Sequence, residues 1–98
     1  MPRPLSDKEW ERYEAQALQR QHWMMDDLIA IRKRRQITQQ EVDEMAGWQP
    51  GATARLEDYR EPTWDPYMST IRMYALCVGA LIEHTVYVPI ENRNQEIT

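Results

Sequence analysis

The sequence predicts a mostly α-helical fold, a bundle of about five helices followed by a single β-strand near the C-terminus. Helical spacing of apolar residues runs through most of residues 6–80, and an alternating pattern replaces it after Gly79. The chain has only three glycines, and two of them, Gly47 and Gly79, stand where a helical pattern ends. Its 98 residues are the usual length of one domain, so we predict a single domain over residues 1–98.

The composition is that of an ordinary globular protein, with 42% hydrophobic and 29% charged residues. The net charge of −4 argues mildly against nonspecific binding to nucleic acid. The charges are unevenly placed, however, with four consecutive basic residues at 32–35 and acidic clusters at 7–14, 41–44 and 57–65. No signal peptide or membrane span is recognisable, and the single cysteine, Cys77, fits a reducing compartment. We therefore expect a cytoplasmic protein with no membrane partner.

The N-terminal third predicts an arm and then a helical extension. Residues 1–5 contain two prolines and predict a loose arm. Ser6 followed by Glu9 is a capping-box pattern that begins a helix. Apolar or aromatic residues then fall on one helical face, at positions 10, 13, 17, 24, 28 and 31. They indicate one helix, or two consecutive helices with a joint near Asp26-Asp27, and we assign residues 6–27 to the extension.

The next segment predicts two short helices joined by a tight turn. Thr38 is a good N-cap for the first of them, which ends at Gly47. Pro50 suits the first turn of the second, which we expect to run to about Asp58. Two short helices connected through a glycine make a helix-turn-helix candidate, and we assign residues 28–80 to this domain.

A loop and a further helix complete that domain. Residues 58–68 contain two prolines and no consistent period, which predicts a loop. Its Trp64 and Tyr67 are expected either to cover the core or to contact a partner. Ser69 or a neighbour begins the last helix, which ends at Gly79.

The C-terminal segment predicts a strand over residues 81–90 and a polar tail over 91–98. Ile82, Val86 and Val88 are separated by multiples of two residues, so their side chains would share one face of the strand. A lone strand leaves its backbone N–H and C=O groups unpaired. The simplest partner is the same strand of a second copy, in a two-fold homodimer, and the alternative is a different protein.

Residues 28–57, "LIAIRKRRQITQQEVDEMAGWQPGATARLE", resemble the helix-turn-helix of phage repressors, the Cro/CI or XRE family. The motif "ITQQEV" is similar to the family's opening of its second helix, and Gly47 stands at the family's turn glycine. Arg32 and Glu57 stand at its paired arginine and glutamate. The downstream "LEDYREP" and "STIRMYALCVGA" resemble bacterial antitoxins of the same family, so the likeness spans roughly residues 28–80.

The resemblance implies a DNA-binding site in this domain. The family's base-reading positions fall on Pro50, Gly51 and Arg55, with Gln49 just before them. Phosphate contacts are expected from the start of the second helix and from basic side chains, namely Thr38, Gln39, Arg34, Arg35 and Arg60. Only Gln49 and Arg55 can hydrogen-bond a base edge, and arginine suits the O6/N7 edge of guanine. The alternative for the basic run is a solvated turn.

Several features bear on how closely the family pattern holds. Arg32 and Glu57 can form a bidentate ion pair, and the alternative is two solvated charges. Pro50 and Gly51 stand where the family has polar readers, and the loop 58–68 is longer than usual. Asp43 stands where the family has a small apolar residue. Because a buried unpaired carboxylate is costly, Asp43 must find a partner or leave the turn open.

Residues typical of catalysis or metal binding are missing from the sequence pattern. No Ser/His/Asp or Cys/His arrangement stands out, and His22 and His84 are far apart. We therefore expect no enzyme activity, no cofactor and no metal. Cys77 is expected to be a buried thiol, and the core is expected to hold the tryptophans of the apolar faces, Trp10, Trp23 and Trp48.

Together these features predict a sequence-specific DNA-binding transcriptional repressor, either a Cro-like phage regulator or an antitoxin-like autoregulator. It would act in the bacterial host cell as a homodimer on operator DNA, covering a promoter. The rival hypothesis is a protein-interaction module on a degenerate helix-turn-helix, which neutralises a toxin or a host protein. The acidic balance, Asp43 and the side chains of residues 50–52 favour the rival.

Overall fold

The structure, a computed structural model, describes residues 4–89 and contains four α-helices there. They are α1 (Asp7–Arg34), α2 (Gln39–Ala46), α3 (Ala52–Glu57) and α4 (Met68–Val78). The prediction of about five helices is therefore wrong, because the N-terminal pattern belongs to one continuous helix. None of the helices in this part of the chain is long and apolar enough to span a bilayer.

The predicted C-terminal strand is also wrong, since residues 81–89 have no regular secondary structure. Alternating apolar residues make a strand only when a neighbouring strand accepts their backbone hydrogen bonds, and residues 4–89 contain no other strand. Ile82 instead packs against the core, whereas Val86 is fully exposed and Val88 is 42% exposed. Position 90 of the predicted strand, the tail 91–98 and residues 1–3 of the arm lie outside the described residues.

Helix α1 is 28 residues long and begins at a complete capping box. The Ser6 hydroxyl accepts from the Glu9 N–H at 3.2 Å, and the Glu9 carboxylate accepts from the Ser6 N–H at 3.0 Å. The C-terminal half of α1 joins the core, whereas its N-terminal half projects from the bundle. Trp10 and Trp23 are about half exposed, at 48% and 52%, so they are not core residues as predicted.

The core lies between the C-terminal half of α1 and the three short helices. Its buried hydrophobic residues are Met25, Leu28, Val42, Leu56, Ile71, Tyr74, Ala75 and Val78. They recur at helical spacing on α1 and α4, which pack against each other, and α2 packs against both α3 and α4. Trp48 packs against this cluster from the turn between α2 and α3. The core therefore fixes α2 and α3 by their inner faces and leaves their outer faces open.

The loop after α3 closes one side of the bundle through aromatic contacts with α1. Trp64 packs against the core, and its indole N–H donates to the Leu56 carbonyl at 2.8 Å. The rings of Tyr59 and Trp64 lie 4.8 and 6.4 Å from the His22 ring. Tyr67, in contrast, is 81% exposed. Trp64 thus covers the core, and Tyr67 faces solvent.

Candidate nucleic-acid interface

A bidentate ion pair joins α1 to the end of α3. Arg32 Nε donates to Glu57 Oε2 at 2.6 Å, and Arg32 Nη2 donates to Glu57 Oε1 at 2.9 Å. The two side chains are 9% and 8% exposed. The remaining nitrogen, Arg32 Nη1, donates to the Ile37 carbonyl at 2.9 Å, in the connection between α1 and α2. Arg32 therefore fixes both the start of α2 and the end of α3.

Glu57 receives further donors from the other two helices. The Gln39 amide on α2 donates to its Oε1 at 2.9 Å, and the Tyr74 hydroxyl on α4 donates to its Oε2 at 2.5 Å. Burial raises the pKa of Glu57, but the hydrogen bonds from Arg32, Tyr74 and Gln39 outweigh burial and hold that pKa below its usual value. One charged carboxylate thus connects all four helices.

A second buried carboxylate, that of Asp43, joins α2 to the beginning of α3. Its Oδ1 accepts from the Thr53 N–H at 2.8 Å and from the Thr53 hydroxyl at 2.6 Å, and its Oδ2 accepts from the Gly51 N–H at 2.9 Å. The Thr53 hydroxyl contributes most to lowering the pKa of Asp43, and the two backbone N–H groups and the charge of Arg55 add to it against the effect of burial. Asp43 therefore has partners, and the turn is closed.

Residues 49–52, which include predicted base-reading positions, form a turn in front of α3. The Ala52 N–H donates to the Gln49 carbonyl at 3.0 Å, across Pro50 and Gly51. Gly51 has φ +88° and ψ −4°, as in the third residue of a type II turn, where glycine is favoured. The prediction that Pro50 lies in the first turn of the helix is wrong. The Pro-Gly pair forms the turn, and α3 begins only at Ala52.

The outer face of this turn and of α3 is open to solvent. Gln49, Pro50 and Arg55 are exposed, and Gly51 is half-buried. The structure thus brings all four predicted base-reading positions to one surface. A cleft of about 380 Å³ runs beside them between α2 and α3, and its lining includes Gln39, Gln40, Asp43, Glu44, Trp48 and Ala54.

The predicted phosphate-contact residues fall into two groups, and the first makes contacts within the chain. Thr38 is the N-cap of α2: its hydroxyl accepts from the Glu41 N–H at 3.0 Å, and the Glu41 carboxylate accepts from the Thr38 N–H at 3.0 Å. The Gln39 amide donates to Glu57. Arg35 lies over Gly79 at the end of α4, so closely that a side chain at Gly79 would displace its guanidinium.

The second group, Arg34 and Arg60, is exposed. The Arg60 guanidinium lies 5.5 Å from the centre of the Tyr59 ring. The exposed acids Glu41 and Glu44 lie on α2, and Glu44 lines the cleft. Residues 28–80 hold as many acidic as basic side chains, so this part of the chain has no excess of positive charge.

Sequence reasoning missed the roles of Tyr74, Thr53 and Gln39 in the two carboxylate networks. No spacing rule connects Tyr74 with Glu57, which lies 17 residues earlier. Thr53 gave a weak signal, because an acidic residue at a normally apolar position requires donors nearby. No three His, Cys, Asp or Glu side chains within residues 4–89 are grouped so that they could hold a metal ion.

Comparison with known proteins adds no further information on the site. No protein-family model, no curated protein and no solved structure matches this chain.

Proposed function

We propose that this protein is a sequence-specific DNA-binding transcriptional repressor. The observation that carries the proposal is the combination of an exposed outer face on α3 with a buried polar frame that fixes both ends of that helix. Asp43 holds the beginning of α3, and Glu57 holds its end. A helix presented in this way meets the requirement for entering the major groove, where its side chains must be positioned accurately.

Two side chains on this face have the chemistry for reading bases. The planar fork of Arg55 matches the O6/N7 edge of guanine, and the amide of Gln49 matches the N6/N7 edge of adenine. Pro50 offers only van der Waals contact, for example to a thymine methyl group. Because so few polar readers are available, DNA shape must supply part of the specificity.

Affinity for the phosphate backbone would come mainly from Arg34 and Arg60. Arg34 and Arg60 are exposed, and so is Arg35, although the guanidinium of Arg35 lies against Gly79 and that of Arg60 against the Tyr59 ring. The Thr38 hydroxyl and the Gln39 amide already hydrogen-bond within the chain. The exposed carboxylates of Glu41 and Glu44 on α2 repel phosphate groups. We therefore expect weak binding to random DNA and a shallow dependence on salt concentration.

A two-fold homodimer is part of the proposal, because a six-residue reading helix spans few base pairs. The exposed apolar residues of α4, Met68, Met73 and Leu76, offer a surface for a second copy. Light scattering of the full chain should give the mass of a dimer, and Leu76→Glu should give a monomer. A Leu76→Glu protein that is still dimeric would place the interface elsewhere.

A gel shift on the DNA upstream of the protein's own gene tests the proposal, with a scrambled duplex as control. The wild-type protein should prefer its own upstream DNA by about 10³-fold, the low end of the usual range. Arg55→Ala should lose roughly 1–3 kcal/mol on that DNA and much less on the scrambled duplex. Arg34→Ala should weaken both alike and reduce the salt slope by about 1. Equal binding of the wild type to both duplexes would refute the proposal.

A second candidate function is binding of a protein partner, such as a toxin or a host protein. The outer surface of α1 favours it, because Trp10 and Leu18 on the projecting half and Trp23 just beyond it are each about half exposed. The carboxylate of Glu44 in the cleft also favours it. Both Trp23→Ala and Leu18→Ala should leave DNA binding intact if the repressor proposal is right, so loss of function in the cell with DNA binding unchanged would support this second candidate.

A further inference from the structure

The guanidinium of Arg55 lies over the Pro-Gly turn. Its Nη1 atom is 3.3 Å from the point that a Cβ at Gly51 would occupy. The backbone also connects the two residues, because the Arg55 N–H donates to the Gly51 carbonyl at 3.1 Å. Any side chain at Gly51 would therefore crowd the guanidinium. The glycine that lacks a reading side chain of its own leaves room for the side chain of Arg55.

The carboxylate of Asp43 also lies next to this glycine. It accepts from the Gly51 N–H and from Thr53, and the whole residue is only 6% exposed. The positive charge of Arg55 contributes to the lowered pKa of Asp43, so the two opposite charges attract each other across the turn. The carboxylate and the guanidinium thus both lie beside Gly51.

We propose that Asp43 is a positioning residue that holds Arg55 over Gly51, so that Arg55 reads a guanine at one position of each half-site. This inference rests on the proposed function and adds the residue that positions the side chain of Arg55. Holding the guanidinium before DNA arrives lowers the entropic cost of ordering a long side chain on binding. Pro50 and Gly51 themselves offer no hydrogen-bonding side chain to a base, but the turn that they form then supports the side chain of Arg55.

Two variants are needed to separate this proposal from a purely structural role for Asp43. Capping α3 uses both carboxylate oxygens, one for the Gly51 N–H and one for Thr53. Asp43→Asn removes the negative charge and also one of these two acceptors, because an amide has a single oxygen. Thr53→Val removes one hydrogen bond of the same cap and leaves the charge in place, so the comparison of the two variants separates the charge from the cap. Gly51→Ala leaves the carboxylate in place and crowds the guanidinium, although alanine is also strained at the positive φ of this position.

Selection from a duplex library with a randomised core, using the full-length protein, provides the probe DNA. We expect the selected duplexes to share a guanine at one position of each half-site. The selected duplex is then compared with one in which 7-deazaguanine, which lacks the N7 acceptor, replaces that guanine. Wild-type protein should lose affinity about tenfold on this replacement. Asp43→Asn and Gly51→Ala should bind both duplexes almost equally, with affinity for random DNA within about twofold of wild type. Thr53→Val, which removes one hydrogen bond of the cap and keeps the charge, should keep the preference for guanine. An equal loss of preference in Thr53→Val would assign the effect to the cap and overturn the inference.

The matched control is Glu44→Gln, which removes a neighbouring carboxylate of the same cleft and should keep the full preference for guanine. A tenfold preference that persists in both Asp43→Asn and Gly51→Ala would overturn the inference and leave the proposed function standing. So would a wild-type protein that is insensitive to 7-deazaguanine. If the duplexes bound by the wild-type protein share no common sequence, the proposed function is overturned, and the inference with it.

Discussion

The two ends of α3 are held by two buried carboxylates whose partners differ in kind. Glu57 at the end of the helix is paired with a cation, Arg32, and with two neutral donors. Asp43 at its beginning accepts only from neutral groups, two backbone N–H groups and the Thr53 hydroxyl. The helix dipole accounts for part of the difference, since a negative charge is favoured at an N-terminus and disfavoured at a C-terminus.

The difference indicates that the two ends have different roles, with Glu57 stabilising the fold and Asp43 shaping the proposed DNA-binding surface. The Glu57 network connects all four helices, so its loss would affect the whole fold. The side chain of Asp43 hydrogen-bonds only to Gly51 and Thr53, so its loss would affect mainly the turn and the start of α3, which we propose bind DNA. Substitutions at the end of α3 should therefore lower stability most, and substitutions at its beginning should mainly change DNA recognition.

The largest expected effect is the loss of Glu57 or Arg32. Glu57→Ala leaves the guanidinium of Arg32 buried without its partner, which should lower the free energy of unfolding by about 3–5 kcal/mol. Urea denaturation of the full chain measures this value. Glu44→Ala, an exposed carboxylate on α2, is the control and should change stability little. A change below about 0.5 kcal/mol in both Arg32→Ala and Glu57→Ala would mean that the pair does not support the fold.

The next largest effect concerns Asp43→Ala, which leaves the donors of Gly51 and Thr53 without their acceptor. We expect a loss of stability about half as large as that of Glu57→Ala, because neutral groups and no buried cation are left unpaired. The same urea experiment gives the ratio of the two losses. Thr53→Val removes one of the three hydrogen bonds and should lie between Asp43→Ala and wild type. If Asp43→Ala lowers the free energy of unfolding as much as Glu57→Ala does, the two ends do not have the different roles described.

The dependence of stability on pH gives a third comparison of the two ends. Both Glu57 and Asp43 have a pKa below its usual value in the folded protein, so the unfolded chain binds more protons in acid. Their contribution is complete above the unfolded pKa values of about 4 and is lost as pH falls through the folded ones.

Urea midpoints measured from pH 7 down to about pH 3 should therefore fall in acid. Glu57→Gln should flatten this decline, whereas Glu44→Gln should not. A wild-type protein whose stability rises on acidification would show that the two carboxylates do not contribute as described.

The smallest effect concerns His22, a buried polar group that contrasts with both carboxylates. Its Nε2 atom is buried and has no hydrogen-bond partner. His22→Phe should keep the ring contacts with Tyr59 and Trp64 and remove the unpaired nitrogen, so we expect a gain of roughly 1 kcal/mol in unfolding free energy. Thermal melts detect a change of this size. A lower melting temperature would mean that the imidazole nitrogen makes a stabilising contact.

Local signals in the sequence were sufficient for one part of the fold. The capping boxes at Ser6 and Thr38 and the glycine at position 47 act within a few residues, so the sequence pattern is enough to place the helix ends. Whether the N-terminal pattern formed one helix or two depended on Asp26-Asp27, which neither break a helix nor extend an apolar face. That pattern alone left both possibilities open.

Interactions between distant residues explain what could not be predicted. The strand predicted over 81–90 needed a hydrogen-bonding neighbour, and the alternation of apolar residues does not say whether one exists. The donors of Glu57 come from three other helices, and those of Asp43 come from residues eight and ten positions later. A single sequence does not show which side chains converge on a buried charge, although it does show that each charge requires a partner.

The most direct test of the central claim, that the turn and outer face of α3 bind DNA, is a nuclear magnetic resonance titration of the full-length protein. The titrant is a duplex from the DNA upstream of its own gene. We predict that the amide signals of residue 49 and residues 51–55 shift as duplex is added, together with the side-chain signals of Gln49 and Arg55. The amides around Leu18 on the projecting half of α1 should stay unchanged. Shifts confined to that half of α1, or no shifts at all, would contradict the account.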